Sequence, residues 1–262
     1  MVSLKEARYQ LIKKLLGPLV ADNLCATEAI GLANLPSRGP GLIVCNHRSI
    51  LDPFLISARA RRPIHWVMAP FVSSVPIFGW LAQQAGAIPI IQGDEDKAQI
   101  LIESMIRVLK QGQLVGIFPE GMAGFVQSRG PCVVQAFRGT FVRAVLGTRI
   151  PELPIIPTAI YAPRQTVLGH VDGQLLTIFD RSERLFRTQN FNLIGYQKAL
   201  IIFGKPESLD RYYDREQPAQ TEPQPHAQIE LVKTLSQHFH HQVTRLLRRA
   251  EARFAAHSPP TT

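Results

Sequence analysis

The chain is short of the residues that build disulfide frameworks and thiolate metal sites. Its three cysteines, Cys25, Cys45 and Cys132, are odd in number and show no C-x-x-C spacing. A stapled scaffold and a zinc site are therefore not expected, and a reducing compartment is. No H-E-x-x-H occurs, so His226, His238, His240 and His241 read as a solvated helix face rather than a metal site. The serine-hydrolase elbow G-x-S-x-G is missing too, which counts against an esterase of that architecture. Acidic charge is scarce: 20 Asp and Glu stand against 29 Lys and Arg, for a net charge of +9. Such a balance favours anionic partners. No nucleic-acid motif accompanies it, and an anionic membrane surface explains the charge with fewer assumptions. The first twenty residues hold charges where the apolar centre of a leader would stand, so no signal peptide is expected.

One long stretch, Ile64 to Gly93, has no Asp, Glu, Lys or Arg. On length alone it would cross a bilayer. Pro70, Pro76 and Pro89 interrupt it, as do Gln83 and Gln84. It reads instead as strand, loop, apolar helix and strand. Its two tryptophans, Trp66 and Trp80, suit either a membrane interface or a core.

What is present is enough for a proper core: 45% of the 262 residues are hydrophobic and 19% charged. Strand-like apolar runs fall at 42–45, 64–67, 87–91, 114–118, 154–161, 174–179 and 199–203. Helical patterns fall between them at 53–61, 76–85, 95–111 and 137–146. Alternation of this kind predicts an α/β fold, a layered, mixed and mostly parallel β-sheet flanked by helices. The last strands lie closer together, which predicts the mixed pairing. An amphipathic helix with a Ser3–Glu6 capping box begins the chain, and either packs on the core or lies on an anionic membrane. A Gln- and Pro-rich loop covers 207–227, and a long basic helix follows over about 227–256. The expected organisation is thus a helix and lead-in at 1–34, a main domain at 35–210, and a linker with a C-terminal helix at 211–262 packed on the same domain.

The octet NHRSILDP, residues 46–53, directly follows the apolar run GLIVC. It holds His47 and Asp52 at the mouth of the sheet, where strands end and ligands gather. Histidine suits the task of taking a proton from a hydroxyl, and a carboxylate on its other ring nitrogen fixes the tautomer. Asp52 before Pro53 equally fits a plain helix N-cap, and His47 a plain loop residue. A second corner, LVGIFPEG at 114–121, again sets a carboxylate at the end of an apolar strand.

Together with LPIIPTAIY at 153–161, the order and separation of these motifs resemble the glycerolipid acyltransferase family typified by bacterial lysophosphatidate acyltransferases, over roughly residues 35–210. The resemblance implies His47 as general base and Asp52 as its orienting partner. It implies an acyl-CoA or acyl-carrier protein donor, a lysolipid acceptor, most simply 1-acylglycerol-3-phosphate, and neither metal nor further cofactor. The expected substrate-binding set is Asn46, Arg48, Ser49, Glu120, Gly121 and Arg138. The implied location is the cytoplasmic face of a membrane, peripheral or shallowly inserted.

Three departures from the family pattern bear on the acceptor. The F-P-E-G corner is followed by Met122, Ala123 and Gly124 where the family usually has Thr-Arg-Ser. The run GAIPIIQ ends in Gln92 rather than arginine, and Arg138 stands before Gly139 where a lysine is common. Each charge-assisted hydrogen bond lost at a phosphate is worth ~1.5–3 kcal/mol. Arg48, Arg129, Arg138 or Arg143 would have to compensate. Otherwise the acceptor is a neutral lipid, an ornithine-type lysolipid or another alcohol, or the chain binds lipid without turnover.

Overall fold

Strands that are apolar throughout belong inside a sheet covered on both faces. In the computed structural model, which describes residues 25–73, 76–90, 97–126, 130–178, 187–188, 190–213 and 225–257, three such runs form the centre. They are β2 (Gly41–Cys45), β5 (Leu114–Ile117) and β6 (Ile155–Tyr161), and every residue in them is buried. The outer members are β1 (Ala26–Ile30), β3 (Ile64–Met68), β4 (Ile88–Pro89) and β9 (Lys198–Phe203). The seven strands lie in the order β1-β9-β6-β2-β5-β3-β4. β6, β2, β5, β3 and β4 pair in parallel; β9 runs antiparallel to β6 and parallel to β1.

Register sorts the side chains into two layers, since successive residues of a strand point to opposite faces. Ile43 pairs with Gly116, and Gly116 with Trp66. Ile43, Cys45, Ile64, Trp66, Leu114 and Phe118 share one core layer. Helix α1 (Asp52–Arg59) closes that layer with Leu55 and Ile56, both fully buried. Each such side chain contributes roughly 1.5–3 kcal/mol by leaving water. Leu42, Val44, Val115 and Ile117 face the other way. Three helices cover them: α3 (Lys97–Lys110), α4 (Thr140–Thr148) and α5 (Pro225–His257). Helix α2 (Pro76–Gln84) is the apolar segment read from the sequence. α5 packs on β6, β9 and α4.

Several features differ from expectation. Residues 174–179 were expected as a strand, but Gly173–Leu176 is a single helical turn. Asp172 causes it: its carboxylate accepts the Gln174 N–H at 2.8 Å and starts a helix where the apolar run suggests extension. Strands β7 (Gln165–Val171) and β8 (Phe191–Tyr196) form a separate antiparallel ribbon, with a bulge between Val167 and Gly169. β1 lies within the expected lead-in yet belongs to the sheet. Glu207 exchanges both backbone hydrogen bonds with Ile155, and Asp210–Tyr213 is helical, so the 207–227 loop starts as ordered structure. The N-terminal helix expected over the first residues, Gln92, Arg129 and 214–224 lie outside the described residues. Trp66 is a core residue at 6% exposure, whereas Trp80 is 52% exposed. Among the described residues no helix is long and apolar enough to cross a membrane.

Gly116 is a close approach within the layer that α1 covers. A Cβ there would stand 2.4 Å from the Trp66 ring. Gly116→Ala should cost about 1–3 kcal/mol by overpacking, read as a lower denaturant midpoint with unchanged slope.

Candidate active site

β2 and β5 are parallel neighbours, so both deliver their following residues to the same edge of the sheet. β2 leads into Asn46 and His47; β5 leads into Phe118–Gly121. The chain leaves β2 for β3 on one side, while β6 lies on the other. Such a reversal of strand order leaves a crevice at the carboxyl ends.

Asp52 organises the loop between β2 and α1. It is the first residue of α1, with Leu51 in the capping position, and its side chain makes no cap bond. The N-cap role expected for it is therefore replaced by another. The carboxylate turns back: Oδ2 accepts the Arg48 N–H at 2.7 Å, the Ser49 N–H at 2.9 Å and a bond from His47 Nδ1 at 2.8 Å. Oδ1 accepts the Tyr196 hydroxyl at 2.8 Å. Asp52 is fully buried, and a buried carboxylate is stable only when so supplied with donors. Burial, with Asp52 beside it, holds the Tyr196 hydroxyl well above its ordinary pKa, so it remains a donor.

The bond to Asp52 fixes the His47 tautomer. Nδ1 carries the proton, which leaves Nε2 as the ring nitrogen able to accept one. The ring plane is fixed as well. His47 stacks on Phe118 with centroids 3.9 Å apart and an interplanar angle of 12°, and Phe118 stacks on Trp66 at 4.6 Å and 8°. Trp66 Nε1 donates to Ser57 Oγ on α1 at 2.9 Å. The imidazole is held edge and face, with 15% of the side chain exposed.

Glu120 braces the backbone of the same residue. Its Oε1 accepts the His47 N–H at 2.8 Å and its Oε2 the Gln135 N–H at 2.6 Å. Burial pushes its carboxyl up to about 7, against the opposing pull of those two N–H groups and the Arg48 charge. Gly121 takes φ 58°, a left-handed conformation that glycine adopts without strain, and closes the turn by donating its N–H to Phe118 O at 3.0 Å. The Arg138 guanidinium carbon lies 3.3 Å from where a Cβ of residue 121 would stand. Gly124 lies against His47: a Cβ there would be 2.2 Å from the His47 carbonyl oxygen.

His47, Asp52, Glu120, Gly121 and Arg138 thus meet at one corner. Three residues of the expected substrate-binding set turn into the protein instead. Asn46 is fully buried, and its amide continues the β2–β6 ladder by donating to Ile160 O at 3.0 Å and accepting the Ile160 N–H at 2.9 Å. Ser49 is fully buried too, donating to Ile194 O at 2.5 Å. Both are consumed in holding the frame. Arg48 is also turned inward, 6% exposed, with Nη2 donating to Val133 O and Nε buried without a partner. Residues that sequence reading missed are Tyr196, which lies on an unforeseen strand, Gln135, and the Phe118–Trp66 stack. Only the stack had a signal: 43, 45 and 47 share parity along β2, as do 114, 116 and 118 along β5.

Residues 27–161, just over half of the 262, match the family model described as Acyltransferase. The chain belongs to that family. It is 30% identical over 144 residues to the chloroplastic 1-acyl-sn-glycerol-3-phosphate acyltransferase of Arabidopsis thaliana, covering 53% of this chain and 39% of that protein. It is 30% identical over 118 residues to the lyso-ornithine lipid O-acyltransferase of Pseudomonas aeruginosa, covering 45% and 43%. The chain spans about two fifths of the length of the curated relatives it matches. Its fold is similar to that of the 1-acyl-sn-glycerophosphate acyltransferase PlsC of Thermotoga maritima, with a TM-score of 0.59 at 17% identity, over 96% of this chain and 84% of that one.

Two predictions follow the two carboxylates. Glu120 holds a proton in the folded state that the unfolded chain has already released between its ordinary value, 4.5, and about 7. Its contribution to stability is full below that window and is lost as pH rises through about 7, a change of about 3 kcal/mol. Urea unfolding at several pH values should show this loss in the native protein and a flatter profile in Glu120→Gln. Tyr196→Phe removes one donor from a buried carboxylate. It should destabilise by about 1–3 kcal/mol in urea unfolding, with little change in slope.

Proposed function

We propose that this chain is an O-acyltransferase that moves a fatty acyl group from an acyl thioester to the free hydroxyl of a lysophospholipid, with 1-acylglycerol-3-phosphate as the first acceptor. The reading rests on the His47 Nδ1–Asp52 Oδ2 bond of 2.8 Å at the carboxyl edge of the sheet. His47 Nε2 takes the acceptor's hydroxyl proton as the oxygen attacks the thioester carbonyl carbon. Asp52 stabilises the imidazolium that forms. The tetrahedral intermediate collapses, the C–S bond breaks, and His47 returns the proton to the leaving sulfur. The balance needs no metal and no redox group. Acyl-CoA and acyl-carrier protein both fit the donor role in this scheme. The net charge of +9 favours work at an anionic membrane surface, on the cytoplasmic face for a protein with reduced cysteines.

Support for the acceptor class comes from the relative in Arabidopsis thaliana, named as an acyltransferase of 1-acyl-sn-glycerol-3-phosphate. One observation favours a second acceptor. Met122, beside the catalytic turn, packs with Leu176, Phe191, Phe71 and Val171 in an apolar cluster. An acceptor with no phosphate fits such a surface better, and the Pseudomonas aeruginosa relative is named for lyso-ornithine lipid.

The test is turnover of a labelled acyl donor against a panel: 1-acylglycerol-3-phosphate, a monoacylglycerol and lyso-ornithine lipid. Product is expected with the first, and His47→Ala should reduce it ~10²–10⁴-fold. Product from the uncharged or ornithine acceptor alone selects the second reading. Turnover equal in His47→Ala removes the proposed base.

A further inference from the structure

Residues 130–139 form a strap with two edges. The inner edge is tied to the catalytic corner: the Gln135 N–H donates to Glu120, the Arg138 N–H to Pro119 O, and Val133 O accepts from Arg48. The outer edge faces α5. Between them lies a groove of about 940 Å³. That is the size of a small-molecule site, and concave sites of this kind combine apolar walls with a few placed polar groups.

The groove has this composition. Phe137, Ile229 and Val232 line its apolar wall, and Ile229 is an exposed large hydrophobic residue at 54%. Arg143, Lys233, His240 and His241 bring the basic groups. No aspartate or glutamate is among the described residues that line it. Glu230 reaches Lys233 from outside, at 3.5 Å, in a solvent-exposed pair. His240 Nε2 meets Val134 O at 3.2 Å, and its ring meets Phe137 edge-on, so α5 and the strap are joined along the floor. Phe137 and Gly139, both lining residues, bracket Arg138, whose guanidinium rests on Gly121 of the catalytic turn. The groove and the catalytic corner are thus one residue apart along the chain.

We propose that this groove holds the phosphorylated nucleotide end of coenzyme A, with Arg143 and Lys233 taking its phosphates. The proposal rests on the acyltransferase reading above and selects acyl-CoA over acyl-carrier protein as donor. A nucleotide presents a flat apolar ring beside several negative charges, which the groove matches in both respects. Its phosphate end lies in the groove, and the pantetheine arm passes Arg138 to bring the thioester to His47. A carrier protein instead requires an open basic surface, and a concave site of this volume offers it little area.

Arg143 and Lys233 are exposed, so their substitution leaves the fold intact. Calorimetry with coenzyme A on the full chain, and kinetics with two donors, test the proposal. Arg143→Gln and Lys233→Gln should each weaken coenzyme A binding and raise the KM for acyl-CoA about tenfold or more, with a much smaller change in kcat. With acyl-pantetheine, which lacks the nucleotide, variants and native protein should share one KM. Turnover of acyl-CoA with native KM in both variants overturns the groove and leaves acyl transfer standing. So does turnover from acyl-carrier protein alone with no coenzyme A bound. Coenzyme A binding that both variants weaken, in a protein that acylates nothing, supports the groove and removes the acyl-transfer reading instead.

Discussion

A fully buried carboxylate, Asp52, sets the terms for the corner around it. A charge taken out of water is tolerated only with donors on both oxygens, and breaking such a set leaves several kcal/mol uncompensated, roughly 3–5 by analogy with buried ion pairs. Asp52 draws its donors from three places: the Arg48 and Ser49 amides of the loop, the His47 ring, and Tyr196 on β8. Satisfying that charge therefore folds the loop back on α1, docks the β7–β8 ribbon and aims the imidazole at once. The orientation of His47 is a consequence of solvating one buried group with protein rather than water. Ser49 reinforces it, since its hydroxyl donates to Ile194 O on the same strand as Tyr196.

The second carboxylate is buried at the same corner with fewer partners. Glu120 has two backbone N–H donors, from His47 and Gln135, where Asp52 has two backbone donors and two side-chain donors, and burial carries the Glu120 carboxyl up to about 7. It fixes where the His47 backbone stands, while Asp52 fixes where the ring points. The Phe118–Trp66 stack fills the third direction. An imidazole held by edge, face and backbone is preorganised, with little freedom left to lose. Gly116 makes the stack possible, because only a residue without a side chain admits the Trp66 ring across the strand pair.

Much of this was legible in the sequence, and the reasons differ by element. The centre of the sheet was legible because runs buried on both faces, such as GLIVC and LVGI, admit few other readings. The pairing of His47 with Asp52 was legible because a short loop separates them. β7 and β8 were not: the exposed residues of β7 dilute its apolar pattern, and β8 pairs with it outside the main sheet. Tyr196 was lost with them: its bond to Asp52 spans 144 residues. The framework bonds of Asn46 and Ser49 were hidden for a different reason. Polar residues beside a base suggest ligand contacts, yet their hydrogen bonds close the backbone of β6 and β8. The turn at 173–176 was misread because one capping aspartate outweighed a local apolar preference.

The departures from the family pattern divide by the same physics. Gly124 stands where a Cβ would meet the His47 carbonyl, so it serves the frame of the base. Gly121, which keeps the family pattern, likewise serves the turn and leaves room for the Arg138 guanidinium. Met122 is different: it packs outward from the turn into the cluster with Leu176 and Phe191, on the side of the β7–β8 ribbon. Arg138 and the strap leading from it lie toward α5. The corner is thus apolar on one flank and cationic on the other, around an imidazole tied to both, through Tyr196 and Asp52 on one side and Gln135 and Glu120 on the other. A frame of that kind holds one imidazole in place while its two flanks differ in the chemistry they present to whatever enters the corner.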